Sequence, residues 1–300
     1  MKNLVDSIIS YWYYCIRKCS RNLSERVPRD PYNRKGPSGT VLCTTPKGQK
    51  PRRIGFADLS FWALLMKNFK ECIMKTIYEG KTKNVLESED GKIFLKFKDT
   101  MTGTDGVFDT GGNEVAGSVE GAGSECLKVS KFFFEKLREK NVKSHYIDSD
   151  LENNLMEVEH ITIFGHGLEV ITRFVAVGSF IRRYGSYIEE GKPLPGYTEI
   201  TLKDDDRNDP LITKEGLVAL NILTAEEYDE IVRQNLENAK IIRDILEEKG
   251  LKLYDIKLEY GRLKENGEIV LIDEVSGGNM RAYKDDKYIE PLELSKYLGI

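Results

Sequence analysis

The stretch from Leu253 to Tyr283, LYDIKLEYGRLKENGEIVLIDEVSGGNMRAY, reads as a β-hairpin with charged residues at alternating positions. Asp255, Lys257 and Glu259 are spaced by two, so in a strand their side chains leave on one face, while Ile256, Leu258 and Tyr260 take the other. Glu265-Asn266-Gly267 is a turn signal, and IVLID returns as the second strand. Asp273 and Glu274 stand at its end, before the small residues Ser276, Gly277 and Gly278. Two strands thus bring four carboxylates and a lysine towards one region, an arrangement suited to a cation or a phosphate. The same alternation also describes any half-exposed antiparallel strand. A second charged stretch upstream favours the functional reading.

That stretch is TRFVAVGSFIRRYGS, where Arg173, Ser179, Arg182 and Arg183 surround the small turn at Gly178. Guanidinium groups grip phosphate bidentately, and a serine at a helix start adds a neutral donor. Further upstream, YEGKTKNV sets Gly80 beside Lys81 and Lys83. A glycine lets backbone approach a phosphate, and two lysines neutralise its oxygens. The spacing is not that of a P-loop, and Gly-Lys pairs are often plain surface.

The 300 residues are 40% hydrophobic and 31% charged, with a net charge of −4 that hides an asymmetry. Residues 1–73 carry 14 Lys and Arg against 5 Asp and Glu, whereas the remainder carries 31 against 44. No uninterrupted apolar run is long enough to span a bilayer, and the short apolar run Ile8 to Ile16 precedes its basic residues, unlike a signal peptide. Cys15, Cys19 and Cys43 fit no common zinc spacing. We expect residues 1–73 to be a basic extension, poorly ordered or not native to the protein, that carries no chemistry; Met74 looks like a natural start. The alternative is a nucleic-acid arm.

In the body, KTIYEGKTKNVLES and GKIFLKFKD are expected to be two antiparallel strands about the turn at Glu89-Asp90-Gly91. Ser124 to Lys140 has helical periodicity, and Cys126 within it reads as a small buried hydrophobe. Strands are expected from Leu155 to Ile163 and from Leu168 to Phe174. His145, His160 and His166 show no metal-ligand spacing and receive no role. KDDDRNDP at 203–210 is an acidic loop. Thr224-Ala-Glu-Glu is a capping box, and the helix it opens runs to Lys249 before Gly250 stops it.

Taken together, the chain from about Met74 to its C-terminus resembles the SAICAR synthetase family, the phosphoribosylaminoimidazole-succinocarboxamide synthases. YEGKTKNV looks like the family's YxGKxKxVY, EVITRFVAVGSFIRR like EVVVRNxAAGSxxRR, DPLIT like its DPxI element, YDIKLEYG like DFKLEFG, and LIDEVSGGNMRAY like GDExSPDxxRLW. The resemblance implies an ATP-dependent, magnesium-requiring ligation of L-aspartate to the carboxylate of 5-amino-1-(5-phospho-D-ribosyl)imidazole-4-carboxylate (CAIR). By it, Gly80, Lys81 and Lys83 would hold ATP phosphates, and Glu259 and Asp273 magnesium. Arg173, Ser179 and Arg281 would bind the nucleotide's phosphate and ribose end. Asp255 and Lys257 would face the imidazole carboxylate as the catalytic pair, with Asp209 near the aspartate pocket. Departures fall at Gly167, Phe174, Gly277-Gly278 and Ala282-Tyr283, so a different carboxylate substrate is an alternative. A small-molecule kinase of related architecture and a non-catalytic nucleotide-binding protein are two others.

The fold implied is α+β: a small N-terminal antiparallel sheet, then a larger sheet-and-helix domain, with ATP in the cleft between. Residues 74–165 would be the ATP-binding subdomain and 166–300 the substrate- and metal-binding subdomain. A cytoplasmic enzyme is expected, with small-molecule partners, no nucleic acid or membrane, and room for a homo-oligomer.

Overall fold

The computed structural model describes residues 74–104, 107–108 and 114–300. The basic extension expected at 1–73 lies outside the described residues.

The N-terminal part starts with β1 (Lys75–Glu79), β2 (Lys83–Glu87) and β3 (Ile93–Phe97). One continuous strand was expected where β1 and β2 stand. The chain is instead cut at Gly80, whose N–H bonds back to the Lys83 carbonyl at 2.8 Å. A Cβ on Gly80 would lie 2.6 Å from that carbonyl oxygen, so a larger residue would force the turn open. Next, β4 (Thr100–Thr104), β5 (Val107–Phe108) and β6 (Glu114–Ser118) make a small sheet in the order β5-β4-β6.

Helix α1 (Ala122–Glu139) matches the expected periodic run and buries Leu127, Phe133, Phe134 and Leu137. After it, β7 (Tyr146–Asp150) and β8 (Leu155–Val158) rejoin the first sheet, which runs β1-β2-β3-β8-β7, antiparallel throughout. Phe134 of α1 stacks on Tyr146 of β7 with ring centroids 5.1 Å apart, so the helix closes one face of that sheet. The strand expected across Leu155 to Ile163 is two strands, because β9 (Ile161–Ile163) leaves for another sheet after Glu159 and His160.

The larger part contains β10 (Leu168–Val175), α2 (Ser179–Tyr184), β11 (Pro193–Leu202), α3 (Lys214–Ala219) and α4 (Ala225–Glu248). It continues through β12 (Lys252–Leu263), β13 (Ile269–Ile272), β14 (Met280–Lys284) and β15 (Lys287–Tyr288) to α5 (Leu294–Leu298). The capping box of α4 forms as expected: Glu227 N–H donates to Thr224 Oγ1 at 3.2 Å, and Thr224 N–H to Glu227 Oε2 at 2.8 Å.

Its sheet runs β11-β10-β12-β14-β15, with β9 and β13 also paired to β12. The hairpin expected from the sequence is thus only half the story. The last part of β12 pairs with β13, from Glu259↔Ile272 to Arg262↔Ile269, whereas its first part is flanked by β10 and β14. One twelve-residue strand therefore serves two sheet regions. Its apolar side, Ile256, Leu258 and Tyr260, is buried, and Asn238 of α4 donates to the Tyr260 hydroxyl at 3.1 Å. Burial of such large side chains contributes about 1.5–3 kcal/mol each. The strand is thereby fixed, and its charged face is held in one orientation. The architecture is α+β, an N-terminal sheet followed by a larger sheet-and-helix region.

Candidate active site

The four carboxylates expected to converge on one region divide into two groups along β12. Asp255 lies in one, and Glu259, with Asp273 and Glu274, in the other. Asp255 and Glu259 are four positions apart along the strand, roughly 13 Å. Lys257 stands between them on the same face and pairs with Glu169 at 2.7 Å.

The first group is set by register. Asp255 is directly opposite Arg173 on β10 and Arg281 on β14. Its Oδ2 accepts from Arg173 Nη1 at 2.7 Å and from Arg281 Nη1 at 2.8 Å. Arg173 is only 1% exposed. Its Nε and Nη2 donate to Glu199 Oε1 at 3.0 and 2.8 Å, its Nη2 also to Ser179 Oγ at 2.7 Å, and its Nη1 to the Val177 carbonyl at 3.4 Å. A guanidinium has five N–H donors, so all of them are matched within the protein. Arg183 also donates to Glu199 Oε1. Glu199 Oε2 is buried with no hydrogen-bond partner. Gly178, at φ +58°, makes room for Arg281: a Cβ there would lie 2.9 Å from the guanidinium.

The second group alternates in sign. Lys83 Nζ lies 3.2 Å from Asp273 Oδ1 and donates to Glu274 Oε1. Lys203 Nζ lies 2.7 Å from Glu259 Oε1. Burial alone would lower the Lys83 pKa, but Asp273 and Glu274 outweigh it and hold it above the ordinary lysine value. Burial and the charge of Asp273 raise Glu259, against the pull of Lys203 and Lys257, while Lys83 and Lys203 overcome the effect of burial on Asp273 and lower it. Asp273 adopts φ 66°, a left-handed conformation that aspartate tolerates better than most residues. Its backbone carbonyl lies 3.2 Å from His145 Nε2. A carbonyl only accepts, so that nitrogen carries the proton. Glu274 in turn accepts from Ser276 Oγ at 2.5 Å, within a turn closed by Asn279 Nδ2 donating to the Glu274 carbonyl at 2.6 Å.

Among the described residues no group of three or more His, Cys, Asp or Glu is placed to hold a metal. Two carboxylates, Glu259 on β12 and Asp273 just past the end of β13, each already facing an ammonium group, are a donor set for a hard cation that takes its other oxygens from water and phosphate.

The other expected residues stand as follows. Gly80 closes the β1–β2 turn, and Lys98 Nζ donates to its carbonyl at 2.9 Å. Lys81 is exposed and pairs with Asp205 at 2.6 Å. Asp209, at φ 45°, accepts from Asp204 N–H at 2.7 Å, and burial raises its pKa. Cys126 is half-buried, with its thiol pushed up to about 12 by burial, as befits a packing residue. Gly277 is required sterically, since a Cβ would lie 2.3 Å from the Pro291 carbonyl oxygen. Phe174 packs under Arg243, whose guanidinium carbon lies 5.0 Å from the ring centroid. Glu199, Lys203, Glu169 and His145 were not foreseen. Glu199 and Glu169 are strand carboxylates that are nonetheless buried, a signal readable only once their strands are placed.

The SAICAR synthetase family model matches residues 76–296. The chain belongs to the SAICAR synthetase family. It is 54% identical over 225 residues to the phosphoribosylaminoimidazole-succinocarboxamide synthase of Clostridium tetani, covering 75% of this chain and 99% of that one. The Finegoldia magna synthase is 35% identical over 215 residues, 71% of this chain and 87% of its own. A type-2 SAICAR synthetase solved in complex with ADP superposes with a TM-score of 0.63 at 31% identity, covering 72% of this chain and 88% of that chain. The synthase from Ehrlichia chaffeensis also gives 0.63, at 27% identity, covering 75% and 92%. The family places the chain among ligases of purine biosynthesis. Among the described residues no helix is long and apolar enough to cross a membrane.

Proposed function

We propose that this protein is the ATP-dependent ligase that joins L-aspartate to the carboxylate of CAIR, giving SAICAR, ADP and phosphate in de novo purine biosynthesis. The carrying observation is the charged face of β12, with a carboxylate–ammonium cluster at one end, a carboxylate–guanidinium cluster at the other, and Lys257, paired with Glu169, between them. A carboxylate is a poor electrophile until phosphoryl transfer makes it an acyl phosphate, which the amine of aspartate can attack. That transfer needs charge neutralisation and alignment more than covalent help from the protein.

In this reading Lys81, Lys83 and the backbone at Gly80 receive the ATP phosphates, with 74–165 as the ATP-binding subdomain and ATP in the cleft it forms with 166–300. Glu259 and Asp273 would hold magnesium, which when bound neutralises charge on the transferring phosphoryl group. Lys257, steadied by Glu169, meets the carboxylate under activation. Arg281 and Ser179 take the phosphate and ribose end of CAIR. Arg173 and Asp255 position those two residues, since the donors of Arg173 are already matched inside the protein. Asp209 lies towards the aspartate pocket. Residues 1–73 have no part in the chemistry, no nucleic acid or membrane is engaged, self-association is compatible with the site, and the enzyme works in the cytoplasm.

The test is ADP release with ATP, magnesium and CAIR, with and without L-aspartate. Release that requires both CAIR and aspartate supports the ligase. ADP formed from CAIR at the same rate without aspartate points to a kinase, and no release from a folded chain that binds ATP points to another carboxylate.

A further inference from the structure

Lys203 opens the acidic loop KDDDRNDP, immediately after the last residue of β11. Its placement is built. Its backbone N–H donates to the Gly167 carbonyl at 3.2 Å. Gly167 has φ +114°, and a Cβ there would lie 2.6 Å from Lys203 Cδ, so the stem of the lysine rests against bare backbone. The ammonium ends 2.7 Å from Glu259 Oε1.

Each of the two carboxylates facing this site thus carries its own lysine, Lys83 on Asp273 and Lys203 on Glu259. The two lysines differ in freedom. The Lys83 side chain is 10% exposed and is ion-paired with both Asp273 and Glu274, whereas that of Lys203 is 42% exposed and is ion-paired with Glu259, feeling Asp273 and Glu169 only through their charge. A divalent cation approaching Glu259 and Asp273 meets a pair whose charge two ammonium groups already offset in part, Lys83 being shared with Glu274. It is favoured only when something draws an ammonium away, and a polyphosphate does so while contributing oxygen ligands of its own.

Building on the ATP and magnesium reading above, we propose that Lys203 is an exchangeable ammonium that makes metal binding conditional on nucleotide. It neutralises Glu259 in the free protein and transfers to nucleotide phosphate when that arrives, leaving Glu259 for the metal. Lys203 thus contacts the nucleotide itself once it has moved, and is distinct from the metal ligands.

The test uses the full chain, wild type and Lys203→Met, with Lys203→Gln as a second variant and circular dichroism to verify folding. Mn²⁺ alone is titrated by electron paramagnetic resonance, and ADP in the presence of EDTA by calorimetry. The expected result is two shifts of opposite sign. Mn²⁺ alone binds the variants about tenfold more tightly, ~1.4 kcal/mol, and metal-free ADP about tenfold more weakly. A lysine with a merely structural role would weaken both. Variants that bind Mn²⁺ no more tightly than wild type, in a wild type that binds both probes, overturn the inference alone. A folded wild type that binds neither ADP nor Mn²⁺ with ADP overturns the nucleotide reading and this inference with it.

Discussion

Replacing Arg173 with alanine separates two roles that one residue could have. If Arg173 is a surface ligand for a substrate phosphate, its loss raises the apparent KM for CAIR and leaves the protein as stable as before. The structure gives it a different position: 1% exposed, with all five donors on Glu199, Asp255, Ser179 and the Val177 carbonyl. Its removal leaves the buried Glu199 carboxylate with only Arg183, and Asp255 with only Arg281 from this cluster. Breaking one side of a buried ion pair typically costs about 3–5 kcal/mol, because the remaining charge stays desolvated. In a body of this size each kcal/mol lowers Tm by ~2–4 °C, so a fall of roughly 6–20 °C is expected. Thermal unfolding followed by circular dichroism measures it, and Arg173→Lys should fall between, since an ammonium cannot reproduce the planar fork. A Tm within about 2 °C of wild type, below the fall of one kcal/mol, would refute the reasoning and return Arg173 to a direct contact.

Three further outcomes follow from other parts of the fold. Burial pushes the pKa of His145 from 6.5 down to about 4 despite the nearby Asp273. The unfolded chain therefore takes up a proton as pH falls through 6.5 while the native state does not until about 4, so stability falls across that window by up to about 3 kcal/mol. His145→Gln should flatten the loss seen in urea titrations between about pH 7 and 4.5; an unchanged slope contradicts the assignment. Gly178→Ala should press on the Arg281 guanidinium and cost on the order of tenfold to a hundredfold in kcat/KM for CAIR with little change in the KM for ATP. An equal effect on both substrates would misplace the pocket. Thr224→Ala should lose about 1 kcal/mol in chemical denaturation through the broken capping box, with kcat unchanged.

What was legible in the sequence was mostly local. The Glu265 to Gly267 turn, the alternation along β12 and the Thr224 capping box each depend on residues a few positions apart, and each formed. Gly80 was read for phosphate approach, but its visible effect is to end β1, a consequence of one close carbonyl. Strand β11 escaped notice because Pro193, Pro195 and Gly196 disguise a stretch whose later residues, such as Glu199 and Ile200, are buried beside β10. The division of the acids into two clusters was not legible either. It depends on Asp255 meeting Arg173 and Arg281 across two strand pairings separated by 82 and 26 residues of chain. Lys203 looked like one more charge in a solvated loop until Gly167 placed its stem and Glu259 received its ammonium.

The central claim is that ATP activates a carboxylate for attack by an amine. Its most direct test is CAIR labelled with ¹⁸O in the carboxylate, incubated with the full chain, ATP, magnesium and L-aspartate, followed by mass analysis of the inorganic phosphate. The account predicts one ¹⁸O transferred to phosphate for each SAICAR formed, and none with Asp273→Asn, which forms no product. Phosphate without label alongside product would contradict it, because the bond to the carboxylate oxygen would then never have been made.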